Sequence, residues 1–199
     1  MADSIKTPTP KSNINSGIFR ALGILLSIVF LGALAYWSIQ KSHSYDFRGA
    51  KSMQGIVDMS NFEGKYKIVY FGFLSCPDVC PNTLQLISDA LENLQDSSEI
   101  VLLFITLDPK RDSLSAIDSY AKHFYTRSYG LLFEEEDLEN IKKTYGVQAR
   151  KIAQKDSVLD YSIEHSSVVY LFDKKGRLIE EVRNLAEIEN SLKNLILRH

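Results

Sequence analysis

Proline is scarce in this chain and one-sided: five occur in 199 residues, and none follows Pro109. The rest of the chain therefore has no residue that fixes φ, withholds a backbone N–H or readily forms a cis peptide bond. Cysteine is scarcer still, with two. Two are too few to staple a disulfide-rich miniprotein, and a pair kept close in sequence points to chemistry or to a metal. An excess of either charge is also missing. Lysine and arginine number 23 against 25 aspartates and glutamates, for a net charge of −2. That balance removes the electrostatic case for binding nucleic acid. Met53 and Met59 build no methionine-rich metal tract, and no internal repeat is present.

What remains is an ordinary globular composition, 45% hydrophobic and 24% charged, long enough for one domain with a proper core. One segment stands apart. Ala21 to Ile39 runs without a charge, and as a helix it would span about 28 Å, close to the apolar thickness of a bilayer. Arg20 closes one end, while Tyr36, Trp37 and Lys41 mark the other as interfacial residues would. The expected organisation is a disordered tail over 1–17, a single-pass membrane anchor over 18–41, a linker and N-terminal extension over 42–60, and a folded domain over 61–199. A cleaved signal peptide is the rival for the apolar run, because Ala33-Leu34-Ala35 fits a cleavage site; the run nonetheless continues to Ile39. Basic residues flank both ends, so charge does not orient the segment.

Downstream, "IVYFGFL" (68–74) and "EIVLLFITLDP" are unbroken apolar runs of strand length, as suits strands buried on both faces. Between them, Leu84, Ile87, Leu91 and Leu94 fall in a helical stripe. "SLSAIDSYAKHF", capped by Ser113, and "EEDLENIKKTY", stopped by Gly146, predict two further helices. Residues 147–164 read as a long irregular loop with strand fragments. "SSVVYLF", "DKKG" and "RLIEEV" predict a hairpin, and Leu185, Ile188, Leu192 and Leu195 a closing helix. The order β-α-β-α-α-β-β-α, with cysteines at the first strand-to-helix junction, predicts an α/β fold of thioredoxin-like type behind an N-terminal transmembrane helix.

Cys76 and Cys80 follow the first strand directly, in "YFGFLSCPDVCP". The pair could be a redox couple, a metal clamp or a structural staple. Pro81 suits the first position of a helix, which puts Cys80 at the cap. Both sulfurs would then sit at the positive end of the helix dipole, which favours the thiolate. Thiolate attacks disulfides and also binds soft metals. The three-residue gap is looser than C-x-x-C and lets the sulfurs open around an ion. A staple would stabilise little, because the closed loop is short.

A metal needs a third donor. His43 lies in the linker, His199 ends the chain, and His123 sits in a helix pattern beside Phe124. His165 comes just before the third main strand, which in a thioredoxin-like sheet faces the cysteine helix. Oxidoreductases of that fold present a cis-proline there; this chain has none. Two sulfurs and an imidazole suit Cu(I), whereas structural zinc wants four protein ligands. Asp108 is either an auxiliary oxygen donor, better matched to Cu(II), or a turn residue of "LDPKRD".

Three blocks in order, "YFGFLSCPDVCP", "FITLDPKRD" and "DYSIEHSSVVYLFDKKGRL", resemble the Sco/SenC family of membrane-anchored copper proteins. The likeness covers roughly residues 60 to 185, while "FRGAKSMQGIVDMSNFEGK" departs from the family's usual opening. The resemblance implies a copper-binding chaperone with Cys76, Cys80 and His165 as metal ligands and Asp108 as a nearby carboxylate. It implies delivery of copper to the binuclear copper centre of cytochrome c oxidase, or reduction of that centre's ligands. Its partners would be the copper-centre subunit of the oxidase, other copper carriers and a membrane. The domain would lie outside the cytoplasm, in a bacterial periplasm or a mitochondrial intermembrane space. The alternative is an enzyme: a membrane-anchored thiol-disulfide oxidoreductase whose redox pair is Cys76 and Cys80.

Overall fold

A computed structural model describes residues 14–40, 45–154 and 160–198. Most of the expected tail, with His43 and His199, lies outside the described residues. The chain divides into two units, residues 1–44 and 45–199.

The described residues of the first unit form α1 (Ile14–Gln40). Every side chain from Leu22 to Leu34 is exposed. Among the described residues no helix is long and apolar enough to cross a membrane.

The second unit is built on a five-stranded sheet. It contains β1 (Ala50–Ser52), β2 (Gly55–Val57), β3 (Tyr66–Gly72), α2 (Val79–Glu92), β4 (Ile100–Thr106), α3 (Leu114–Phe124), β5 (Ser128–Leu131), α4 (Glu135–Tyr145), β6 (Ala149–Ala153), β7 (Tyr161–His165), β8 (Val169–Phe172), β9 (Leu178–Val182) and α5 (Ile188–Arg198). The sheet order is β5-β4-β3-β8-β9. β3 and β4 pair in parallel from Tyr66–Ile100 to Gly72–Thr106, and β4 pairs in parallel with β5. β8 runs antiparallel to β3, and β9 antiparallel to β8.

The unbroken apolar runs follow from burial on both sides: all seven residues of β3 and all seven of β4 are buried. Alternation along β3 then separates two faces. Val69 and Phe71 share one face with Tyr170 and Phe172, and the Tyr145 ring of α4 packs edge-on against Phe71 at 5.1 Å. Tyr70 and Gly72 point to the other face, where Phe104 and Tyr120 of α3 gather and where α2 lays down Leu84, Ile87 and Leu91. The one charged residue inside β3, Lys67, is satisfied by the carbonyls of Asp173 and Lys174 at 3.1 and 3.2 Å.

Several local signals are obeyed. Ser113 caps α3 by accepting the Ala116 N–H, and Gly146 ends α4 in the left-handed region at φ 66°. Ile188, Leu192 and Leu195 are buried on α5. Others differ. The expected linker over 42–60 carries the β1–β2 hairpin and adds Phe47, Val57 and Met59 to the core, because its few apolar residues are spaced to reach inward. β5 breaks the run of two helices. The stretch 147–164, expected to be irregular with strand fragments, contains β6 and all but the last residue of β7, which form a separate antiparallel pair.

Candidate metal centre

The site sits where β3 gives way to α2. The chain turns after Phe73, with the Cys76 N–H donated to the Phe73 carbonyl at 3.2 Å. The helix then starts earlier than Pro81 predicts. Asp78 is the cap, Val79 the first residue and Cys80 the second. Pro81 fits in the first turn regardless, because an N–H there has no partner within the helix. Cys80 is fully buried and Cys76 partly so, and both are free thiols. The Cys80 N–H points at Cys76 Sγ, 3.3 Å away. A Cβ on Gly72 would come within 3.0 Å of Cys80 Sγ and 2.8 Å of the Phe104 ring. Only glycine leaves that sulfur its place.

His165, the last residue of β7, approaches from the opposite side. Its Nε2 lies 3.5 Å from Cys80 Sγ. The ligand atoms of Cys76, Cys80 and His165 all fall within 4.8 Å of one another. Phe73 meets the imidazole edge-on at 5.9 Å, and Tyr70 lies 6.5 Å away. His165 Nδ1 is 3.1 Å from the Ser166 carbonyl. A carbonyl only accepts, so Nδ1 carries the hydrogen and Nε2 turns its lone pair toward the sulfurs. Burial lowers the His165 pKa, which keeps the ring neutral and able to donate that pair.

The helix-dipole argument for two thiolates is overturned at Cys80. Burial pushes that thiol up to about 12, and the neighbouring Cys76 adds to the effect. Desolvation of a fully enclosed sulfur outweighs a partial charge at a helix end. The Tyr70 hydroxyl is buried next to the pair and has no hydrogen-bond partner among the described residues. Its pKa is raised well above the ordinary value, by burial first and by Cys80 second.

Asp108 is not one of the clustered donors. It is buried, and both carboxylate oxygens are engaged: Oδ2 with Arg111 Nε, Oδ1 with the Tyr161 hydroxyl at 2.7 Å. His123 lies beside Phe124, 5.3 Å between rings, as a packed histidine would. Met53 is exposed and Met59 buried.

The donor set fits a soft, low-coordinate ion. A metal bonded to sulfur at about 2.3 Å and to imidazole at about 2.0 Å, with bonds about 120° apart, separates its donors by about 3.7 Å; Cys80 and His165 stand at 3.5 Å. Two sulfurs and one nitrogen favour Cu(I) over the hard cations. The same pair of thiols, if oxidised, has no free sulfur left to bind. Sequence reasoning missed Gly72, Arg111, Asp112 and Tyr161, whose roles depend on contacts between distant segments. For Gly72 alone there was a local signal: a glycine inside a strand marks a close approach.

The chain is similar to several known proteins. The SCO1/SenC family model matches residues 38–196. A mitochondrial SCO1 homolog 1 of Arabidopsis thaliana is 33% identical over 126 residues, 62% of this chain and 37% of that protein. A mitochondrial SCO2 homolog of Danio rerio is 30% identical over 96% of this chain and 77% of its own length. The chain thus spans little more than a third of the Arabidopsis relative. The crystal structure of Arabidopsis thaliana ScoI with copper bound superposes with a TM-score of 0.70 at 28% identity, over 77% of this chain and 98% of that one. The thioredoxin domain of a Bacteroides vulgatus thiol-disulfide oxidoreductase, 17% identical with a TM-score of 0.53 over 77% of this chain and 94% of that one, shares the fold. The architecture is therefore thioredoxin-like, and with a family model matched over most of its length this chain belongs to the SCO1/SenC family.

Proposed function

We propose that this chain is a metallochaperone that binds copper through Cys76, Cys80 and His165. It delivers that copper to the binuclear copper centre of cytochrome c oxidase or keeps the centre's ligands reduced. The observation that carries the reading is the approach of His165 Nε2 to Cys80 Sγ at 3.5 Å, with Cys76 completing the cluster. A general disulfide reductase needs no imidazole there. Cu(I) is the preferred cargo and Cu(II) the second oxidation state. Asp108 is left out of the donor set, because both its oxygens are already engaged.

The partners are the copper-centre subunit of the oxidase and the carriers that load this protein. The uncharged run from Ala21 to Ile39, of which 35–39 lie outside the described side chains, serves on sequence grounds as a single-pass anchor, and the domain works in a periplasm or a mitochondrial intermembrane space. The mitochondrial names of the relatives support that placement. The second reading, a thiol-disulfide oxidoreductase, rests on the exposure of Cys76 beside a buried Cys80.

The test is the His165→Ala variant. The parent should take up one Cu(I) per reduced chain, and serine at either cysteine should abolish tight binding. His165→Ala should bind more weakly against a competing chelator yet exchange with a small disulfide at an unchanged rate. In cells lacking the native gene it should leave the oxidase short of copper. Normal oxidase copper in that variant would overturn the chaperone reading and favour the oxidoreductase.

A further inference from the structure

We propose that the loop between β4 and α3, residues 107–113, is a brace that sets the separation between the cysteine and histidine donors. Arg111 and Asp112 are its two positioning residues. The proposal rests on copper being held by Cys76, Cys80 and His165.

The need for a brace comes from the topology. The cysteines are fixed to the main sheet through β3. His165 is not: among the described residues β6 and β7 pair only with each other and lie outside the five-stranded sheet. The far end of β7 is tethered to β8 through residues 166–168, but its near end, Tyr161, has no ladder to the core. Ile163 is buried in mid-strand, but packing at that one point does not fix the near end, and a tilt about it would carry the imidazole with the hairpin.

The loop supplies the hold with neighbouring residues. Arg111 Nη1 donates to the Tyr161 carbonyl at 2.8 Å, and its guanidinium stacks 3.8 Å above the Tyr161 ring. Asp108 completes the grip by accepting from both Arg111 Nε and the Tyr161 hydroxyl. Asp112 reaches the other way. Its Oδ2 accepts the Leu74 N–H at 3.2 Å and the Thr106 hydroxyl at 2.5 Å. Leu74 lies in the turn that leads to Cys76. The loop is itself stiff: Asp112 N–H bonds to the Asp108 carbonyl at 2.9 Å, and Leu107 N–H to the Gly72 carbonyl at 2.7 Å. One arm therefore ends on the histidine strand and the other on the cysteine turn.

Satisfying buried polar groups would explain each bond singly. It would not require the two arms to act on different donors, and that difference can be measured. Arg111→Met, which keeps length and loses the donors, should weaken Cu(I) binding about tenfold, the lower end of what removing an outer partner of a metal ligand costs. In a His165→Ala background it should cost nothing more, because the group it positions is gone. Asp112→Asn should weaken binding in both backgrounds, because it acts through the cysteine turn. Arg111→Lys should restore part of the loss. In the reduced, copper-free protein, hydrogen exchange should speed up at the β7 amides in Arg111→Met and at Leu74 in Asp112→Asn. Should Arg111→Met fail to fold, Arg111→Lys carries the same comparison. An Arg111→Met variant that binds copper as the parent does, or that loses the same factor with and without His165, overturns the brace. If His165→Ala itself binds like the parent, the donor set fails first; unchanged β7 exchange in Arg111→Met then overturns the brace as well.

Discussion

Two cysteines four positions apart have been given different chemical lives. Cys80 is sealed beneath Gly72 and the Phe104 ring; Cys76 is partly open to solvent. In the reduced, metal-free protein an alkylating agent at pH 8 should modify Cys76 first and leave Cys80 as the thiol, since burial holds it up to about 12. Peptide mapping by mass spectrometry decides this, and early label on Cys80 would contradict the burial. The same shift has a stability consequence. The folded state keeps a proton that an unfolded cysteine gives up near 9.0. Stability from this group is thus complete below about 9 and is lost as the pH rises from there toward about 12. A copper-free urea titration across that range should show the midpoint falling, and a Cys80→Ser variant should flatten the slope. Loading with metal must expel the proton, so binding should release acid at neutral pH.

Among the elements, what could be read from the sequence was whatever carried its own period or cap. β3, β4, α2 and α5 announce themselves by apolar runs and stripes. Ser113 and Gly146 mark their helix ends by chemistry that needs no distant partner. Replacing Ser113 with alanine should therefore cost about 1 kcal/mol, as loss of a helix cap does elsewhere; a thermal melt unchanged within error would show the cap to be idle. What escaped has no such local signature. β5 is four residues with a glycine in the middle, held by parallel pairing to β4. β6 and β7 give little signal because three of the five residues in β6 are charged or exposed alanine, and in β7 Ile163 alone is fully buried. Pro81 points to a start of α2 two residues later than the observed Val79, because a proline is welcome anywhere in a first turn. In the site, both cysteines and His165 were legible from residue type and from position along the strand order. Arg111, Asp112 and Tyr161 were not, since a hydrogen bond from Arg111 to a carbonyl 50 residues away leaves no trace in either neighbourhood.

For the whole molecule, the two units make separate predictions. A chain anchored through α1 should stay with the membrane pellet after an alkaline carbonate wash, whereas residues 45–199, which form a compact unit, should be found in the supernatant. Full-length protein released by the wash would remove the anchor from the proposal. The wider consequence concerns when the protein can carry anything at all. His165 lies 85 residues beyond Cys80 and reaches it only after the central sheet has formed and the β6–β7 hairpin has docked. A half-made or partly unfolded chain has thiols but no third donor beside them. On the proposed copper reading, tight binding is then a property of the finished molecule, and an unfinished chain holds its ion no better than one without His165.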